Sequence, residues 1–363
     1  MAISITEASS TIVNAVVTGF KDRERPTMFL QSFFPANFRR SKGVKFNVKR
    51  RGRPVAVDVA RYSNGERVKM SYSDQKLFVP PFFNNSIMLN DHELYMNVVG
   101  MTATMNQGTL PAGQESLLQA NLDLFREDIQ EEMEDVQDMQ VRAVELMCAQ
   151  ALKSGIITLE NGDNVDYKRK AASTVDLGAG NYWTTGTVNP FGTLAAMCRF
   201  IRTEGMSGAT EFDALVGIEA LEALESNDIF QERMDLRNFN SGTMAMPSRP
   251  QQGAEWHGRM KCENFIVNIW TYDQYYDDPV TSTTTPYLDP KEVIVVSPDA
   301  VFSTEYCMVP QVLRADFTVP QTSEFLIQQF INEDKGTDEM KVKCAPLPIL
   351  KSVDRVVTYQ VVA

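Results

Sequence analysis

Apolar residues recur at steps of three or four through Leu118, Leu122, Phe125, Ile129, Met133, Val136, Ala143, Met147 and Ala151, and Gln140 fills the one polar place in that stripe. This spacing marks one face of an α-helix, and Gly155 stands where a C-terminal stop belongs. The spacing predicts a helix over about 115–154, which at 1.5 Å per residue is a rod of about 60 Å. Ordinary globular helices run to about eleven or twelve residues. A rod this long is a scaffold element along which the rest of the chain must be arranged.

The outer faces of the rod are expected to be acidic. Between Glu115 and Glu145 stand Asp123, Glu127, Asp128, Glu131, Glu132, Glu134, Asp135 and Asp138, opposed by Arg126 and Arg142 alone. A second long element carries the opposite charge. From Arg39 to Lys76 the chain gathers twelve cations, among them Lys49, Arg50, Arg51, Arg53 and Arg61, against Asp58, Glu66 and Asp74, although its formal net charge is -12. Here the period is two: Val55, Val57 and Val59 alternate, Asn64-Gly65 suits a type I′ turn, and Val68 and Met70 resume the alternation. The pattern predicts a long hairpin with strands of about fifteen to twenty residues, reaching up to about 50–60 Å. Such a hairpin is marginal alone, so its apolar face must rest on another element or another chain. Pro80-Pro81 closes the excursion.

Ahead of the hairpin, residues 1–38 read as an arm in which Phe29, Leu30, Phe33 and Phe34 form a short helical turn with aromatics to bury. From Asn189 the text is that of a compact α/β unit. A helix opens at Pro190, a strand runs over 212–218, helices follow over 218–224 and 229–236, and further strands lie near 262–270 and 293–297. The segment 339–362 alternates again and is expected to return as strands to the domain that holds the long helix.

Several classes of chemistry lack their residues. There are 2 histidines and 5 cysteines in the 363 residues, and no Cys-x-x-Cys, so the thiols are expected to be reduced and buried. Phosphate-binding, nucleotide-binding, serine-hydrolase and zinc-protease motifs are missing. Glu131 with Glu134 or Asp135 makes a carboxylate pair, and Asp273, Asp277 and Asp278 a polar loop; neither spacing is specific for catalysis or for a cation. His92 reads as a surface residue. No cofactor, metal or enzymatic role is expected. No apolar run approaches membrane-spanning length and the first twenty residues lack a secretion signal, so the chain is expected to be soluble and not secreted.

The order of arm, basic hairpin, acidic helix, inserted α/β unit and returning strands resembles the major capsid protein of tailed bacteriophages, and more narrowly the lambda-type major head protein family. The resemblance is carried by Pro26-x-x-Phe29-Leu30-x-x-Phe33-Phe34, by Phe78-Val79-Pro80, by residues 132–152 followed by Gly155, and by 212–224 with 232–237 behind it. Tyr287-Leu288 before 293–296, and Met340-x-x-Lys343-x-Ala345-Pro346-Leu347-Pro348, complete it.

The resemblance implies an α+β fold: an N-terminal arm (1–38), an extended β-hairpin loop (39–84), a peripheral domain on the spine helix (85–186), an α/β axial domain (187–334), and C-terminal strands of the peripheral domain (335–363). It implies self-assembly through pentamers and hexamers into an icosahedral shell around the double-stranded DNA of a phage, built in the host bacterial cytoplasm. A portal protein is an implied partner, a scaffolding protein and an outer cement protein are partners it leaves open, and packaged DNA would be touched non-specifically. In the family the extended loop lies across the neighbouring subunit. The candidate inter-subunit residues are therefore Lys49, Arg50, Arg51, Arg53 and Arg61 on one copy and Glu127, Glu131, Glu134, Asp135 and Asp138 on the next. Two alternatives are an encapsulin-like cargo shell of the same fold and a nucleic-acid-binding protein that uses the hairpin as a β-ribbon. Asp58 and Glu66 on the hairpin, and an acidic remainder, argue against the second.

Overall fold

A computed structural model describes residues 28–51, 71–89, 114–159, 164–235, 253–278, 281–314, 317–321, 323–332 and 337–363. The long helix spans Gln114–Lys153 without glycine or proline. It stops where Gly155 takes a left-handed backbone, φ 72°, and returns its N–H to the carbonyl of Ala151 at 3.0 Å. The next orphan carbonyls go to a buried guanidinium: Arg169 donates to Leu152 O at 2.7 Å and to Lys153 O at 3.0 Å. Burial lowers the Arg169 pKa to about 10, with Asp354 and Glu292 opposing the shift, so it stays charged at neutral pH. A Cβ at position 155 would overlap the Arg169 chain, so glycine here serves both the turn and the cap.

Two small sheets flank the helix. Phe83–Leu89, Thr337–Cys344 and Leu326–Asn332 form an antiparallel sheet with Thr337–Cys344 in the centre. Its Met340, Val342 and Cys344 pack on Ile129, Met133 and Val141 of the helix. In the second sheet Phe302–Tyr306 lies between Pro346–Leu350, antiparallel, and Ala36–Phe38, parallel. The arm is thus stitched into the body by backbone as well as by side chains. Its turn, Leu30–Phe33, is a 3₁₀ helix, and Phe29, Leu30, Phe33 and Phe34 are all buried. Each such side chain contributes about 1.5–3 kcal/mol on leaving water.

The α/β unit is a six-stranded sheet in the order Thr174–Asp176, Val356–Gln360, Glu292–Val296, Glu211–Val216, Phe265–Tyr272, Ala254–Cys262. Helix Pro190–Thr203 starts as expected, with Asn189 accepting from the Phe191 N–H at 3.1 Å and proline in the first turn. Phe212, Ala214, Val216, Val267, Ile269, Val293 and Val295 join the helix side of the sheet. Leu215, Trp270, Tyr272, Ile294 and Val296 join the core that holds the long helix and the arm. One sheet therefore couples the two cores.

Two expectations need correction. The C-terminal segment divides: Thr337–Cys344 and Pro346–Leu350 lie with the long-helix sheets, but Val356–Gln360 enters the six-stranded sheet between Thr174–Asp176 and Glu292–Val296. Val356, Val357 and Thr358 are each buried, and a strand covered on both faces belongs inside a sheet. The segment before residue 187 likewise joins the α/β unit from Thr174 on, with Trp183 fully buried in that core. All five cysteines are free and buried.

Candidate assembly interface

Where the small sheet lies along the long helix, its central strand and Phe83–Leu89 lie on one side and leave another side open. Gln140, the polar place in the apolar stripe, is buried and donates to Val342 O at 2.9 Å and to Asn85 Oδ1 at 3.1 Å. Both bonds are made by the NH2 group, which ties helix to sheet, while the Gln140 Oε1 is buried without a partner. One residue away Met139 is 51% exposed. Glu131, Glu132 and Asp135 are exposed on the same open side as Met139, and Glu134 and Asp138 are half-buried at its border. Glu134 accepts from the Gln130 amide at 2.9 Å. Glu127 belongs to the helix by its backbone, and its side chain lies outside what is described.

The basic strand Val44–Arg51 pairs antiparallel with Ser71–Phe78, placing Lys49 opposite Ser73, Arg50 opposite Tyr72 and Arg51 opposite Ser71. Arg53, Arg61, the Asn64-Gly65 turn and Val55, Val57 and Val59 lie outside the described residues, as does His92. The hairpin is rooted by buried Val44 and by Phe78, whose ring lies 6.2 Å from that of Tyr167. Tyr167 in turn donates its N–H to Gly155 O at 2.9 Å, just past the helix end. From Gly155 back to Asp135 the helix rises about 30 Å. Within one chain the root of the basic hairpin and the acidic stripe are therefore far apart.

Two buried carboxylates fasten the arm, and neither was singled out from the sequence. Glu145, which the charge pattern of the sequence places with the outer-face acids, is fully buried. Its Oε1 accepts from the Leu30 N–H and the Tyr272 hydroxyl, both at 2.8 Å, and its Oε2 accepts from the Gln31 N–H at 3.1 Å. Burial raises its pKa to about 7, against the pull of these donors. The sequence held one signal: Glu145 stands alone in the apolar run Val144-Glu-Leu-Met-Cys148, apart from the acids at 127–138. Glu305 is also fully buried, but it meets Arg39, Lys351 at 3.0 Å, Asn37 Nδ2 at 2.8 Å and Ser303 Oγ at 2.7 Å. Those partners, Arg39 foremost, outweigh burial and hold its pKa down at about 2.

Among the described residues no group of three or more His, Cys, Asp and Glu is placed to hold a metal ion, and no helix is long and apolar enough to cross a membrane. Asp277 and Asp278 accept from Thr284 and Thr281 hydroxyls at 2.8 and 2.9 Å, the usual local bonds of a polar turn. The profile of the family described as phage major capsid protein E matches residues 12–361. The chain belongs to that family. As a phage major capsid protein E it is a shell subunit of a virion, and the family is a structural one.

Solved structures agree on the fold. A crystal structure from E. coli CFT073, described as a capsid protein of a prophage, is similar at 14% identity and TM-score 0.62, covering 98% of each chain. A phage-related protein from Bordetella bronchiseptica RB50 is similar at 13% identity and TM-score 0.51, covering 96% of each chain. No curated protein matches the sequence. The mixed α and β capsid fold is thus present, and the long helix of this capsid protein takes the place of the spine.

Proposed function

We propose that this capsid protein assembles through pentamers and hexamers into a closed icosahedral shell around the double-stranded DNA of a tailed phage, and that the basic hairpin of one copy lies on the acidic spine of the next. The observation that carries the interface is the open stripe of Glu131, Asp135 and Met139 on the spine, acidic where the hairpin is basic. Lys49, Arg50 and Arg51 on the strand, with Arg53 and Arg61 beyond it, are its complement in charge. Glu127, Glu134 and Asp138 extend the acidic side.

Each exposed pair contributes about 0–1 kcal/mol. Complementary fields instead steer the encounter and penalise wrong neighbours, and repetition around a closed shell multiplies a small preference. The subunit has no catalytic role in this reading. Its remaining contacts would be with the portal protein at one vertex, with scaffolding or cement proteins, and with DNA non-specifically; net charge -12 keeps the wall from holding phosphate strongly.

The test is a charge swap. Changing Arg50, Arg51 and Arg53 to Glu should leave a folded subunit, by circular dichroism, that sediments without shells. Adding Glu131→Lys, Glu134→Lys and Asp135→Lys should restore them. Normal shells from the first variant would refute the hairpin contact. Particles filled with a protein cargo in place of nucleic acid would favour the storage-shell alternative.

A further inference from the structure

We propose that Glu145 is a protonation-dependent latch for the arm, holding the turn Phe29–Phe34 on the body in acid and loosening it as the pH approaches neutrality. This goes beyond shell formation, because the latch is complete within one copy. Three elements converge on the carboxylate: the arm gives the Leu30 and Gln31 N–H groups, the α/β sheet gives Tyr272, and the spine supplies Glu145 itself. The same arm turn makes a second bond to the spine, Gln31 Nε2 to Val141 O at 2.8 Å. Phe29 covers the site, its ring 5.4 Å from Trp270 and 5.6 Å from Tyr272.

The groups facing Glu145 are Cys148 one turn on along the spine, Tyr272 from the sheet, and Tyr287 from the segment before Glu292–Val296. The arm turn contributes only neutral groups, and Arg142 one turn back on the spine is exposed. Among the described residues no cation stands within ion-pair distance of the carboxylate. A buried carboxylate without a cation favours its neutral form, as the rise from 4.5 to about 7 expresses. Undocking the turn returns the carboxyl to water. Between those two values release of the arm also releases one proton, so docking weakens by up to about tenfold per pH unit and then levels off once both states are ionised.

Hydrogen exchange of the full chain, followed by mass spectrometry from pH 5 to 8.5 and corrected for intrinsic exchange, reads this directly. Protection of the Leu30 and Gln31 amides should fall by up to about fortyfold from pH 5 to 7 and flatten above, while the amides of 340–344 keep theirs. Glu145→Gln should abolish the slope. Tyr272→Phe removes one donor to the anion and should carry the plateau to higher pH. A wild-type profile without slope, or the same slope in Glu145→Gln, overturns the latch. If Glu145→Gln does not fold, an unmoved plateau in Tyr272→Phe overturns it equally.

Discussion

Glu145 and Glu305 are the same residue, both closed to solvent and both tying the arm to the body, with Glu145 the deeper of the two, yet they are held at opposite ends of the carboxylate range. Glu305 sits between Arg39 and Lys351 and is pushed down to about 2; Glu145 faces two amides and a phenol and is pushed up to about 7. The difference teaches that burial sets the cost of a charge and the neighbours decide whether it is met. Hydrogen-bond donors without a cation offset only part of that cost. The arm is consequently fastened at Ala36–Arg39 by charge and at Phe29–Phe34 by apolar packing around an acid that has no cationic partner among the described residues.

The largest effect should come from removing the paired acid. Glu305→Ala leaves Arg39, Lys351, Asn37 and Ser303 without their acceptor; because Arg39, Lys351 and Asn37 reach water, the loss should be about 1–3 kcal/mol in urea denaturation at neutral pH. A loss below about 1 kcal/mol would erase the contrast. Next in size is the response to pH. Because the folded-state pKa of Glu305 lies below its unfolded value, its contribution is present above about 4.5 and lost as pH falls toward 2. The raised pKa of Glu145 gives stability that is complete below about 4.5 and lost as pH rises toward 7. Denaturation midpoints should show both limbs, Glu305→Gln flattening only the acid one and Glu145→Gln only the one toward neutrality. A single variant that removed both would mean the two sites are one network.

The smallest effect sharpens the comparison from outside the core. Lys153, half in water, pairs with Asp289 at 3.0 Å and Glu292 at 3.3 Å. Lys153→Met should change stability by about 0–1 kcal/mol, with a weaker response in high salt. A loss comparable to Glu305→Ala would show that exposure does not separate the two kinds of pair.

The rod and its stop were legible because helical period and a left-handed glycine are local signals, and so were Asn189-Pro190 and the buried aromatics of the arm. What was not legible depends on partners far along the chain. Arg169 caps the helix that ends at Lys153 through a loop, Glu305 finds Arg39 across 266 positions, and Val356–Gln360 alternates like an edge strand yet lies inside the six-stranded sheet. Glu145 looked like one more surface acid because acidic runs on a helix are ordinarily solvated; its isolation among apolar neighbours was the only hint. The complementary charges of hairpin and spine were plain in the sequence, and the contact proposed between them is one between copies.

Electron cryo-microscopy of particles formed by the full chain tests that meeting most directly. The account predicts closed icosahedral shells in which the strand Val44–Arg51 and the loop beyond it lie on the adjacent subunit's spine near Glu131–Asp138. Shells in which each hairpin folds back on its own spine, or a chain that stays monomeric with its scaffolding partner present, would contradict it.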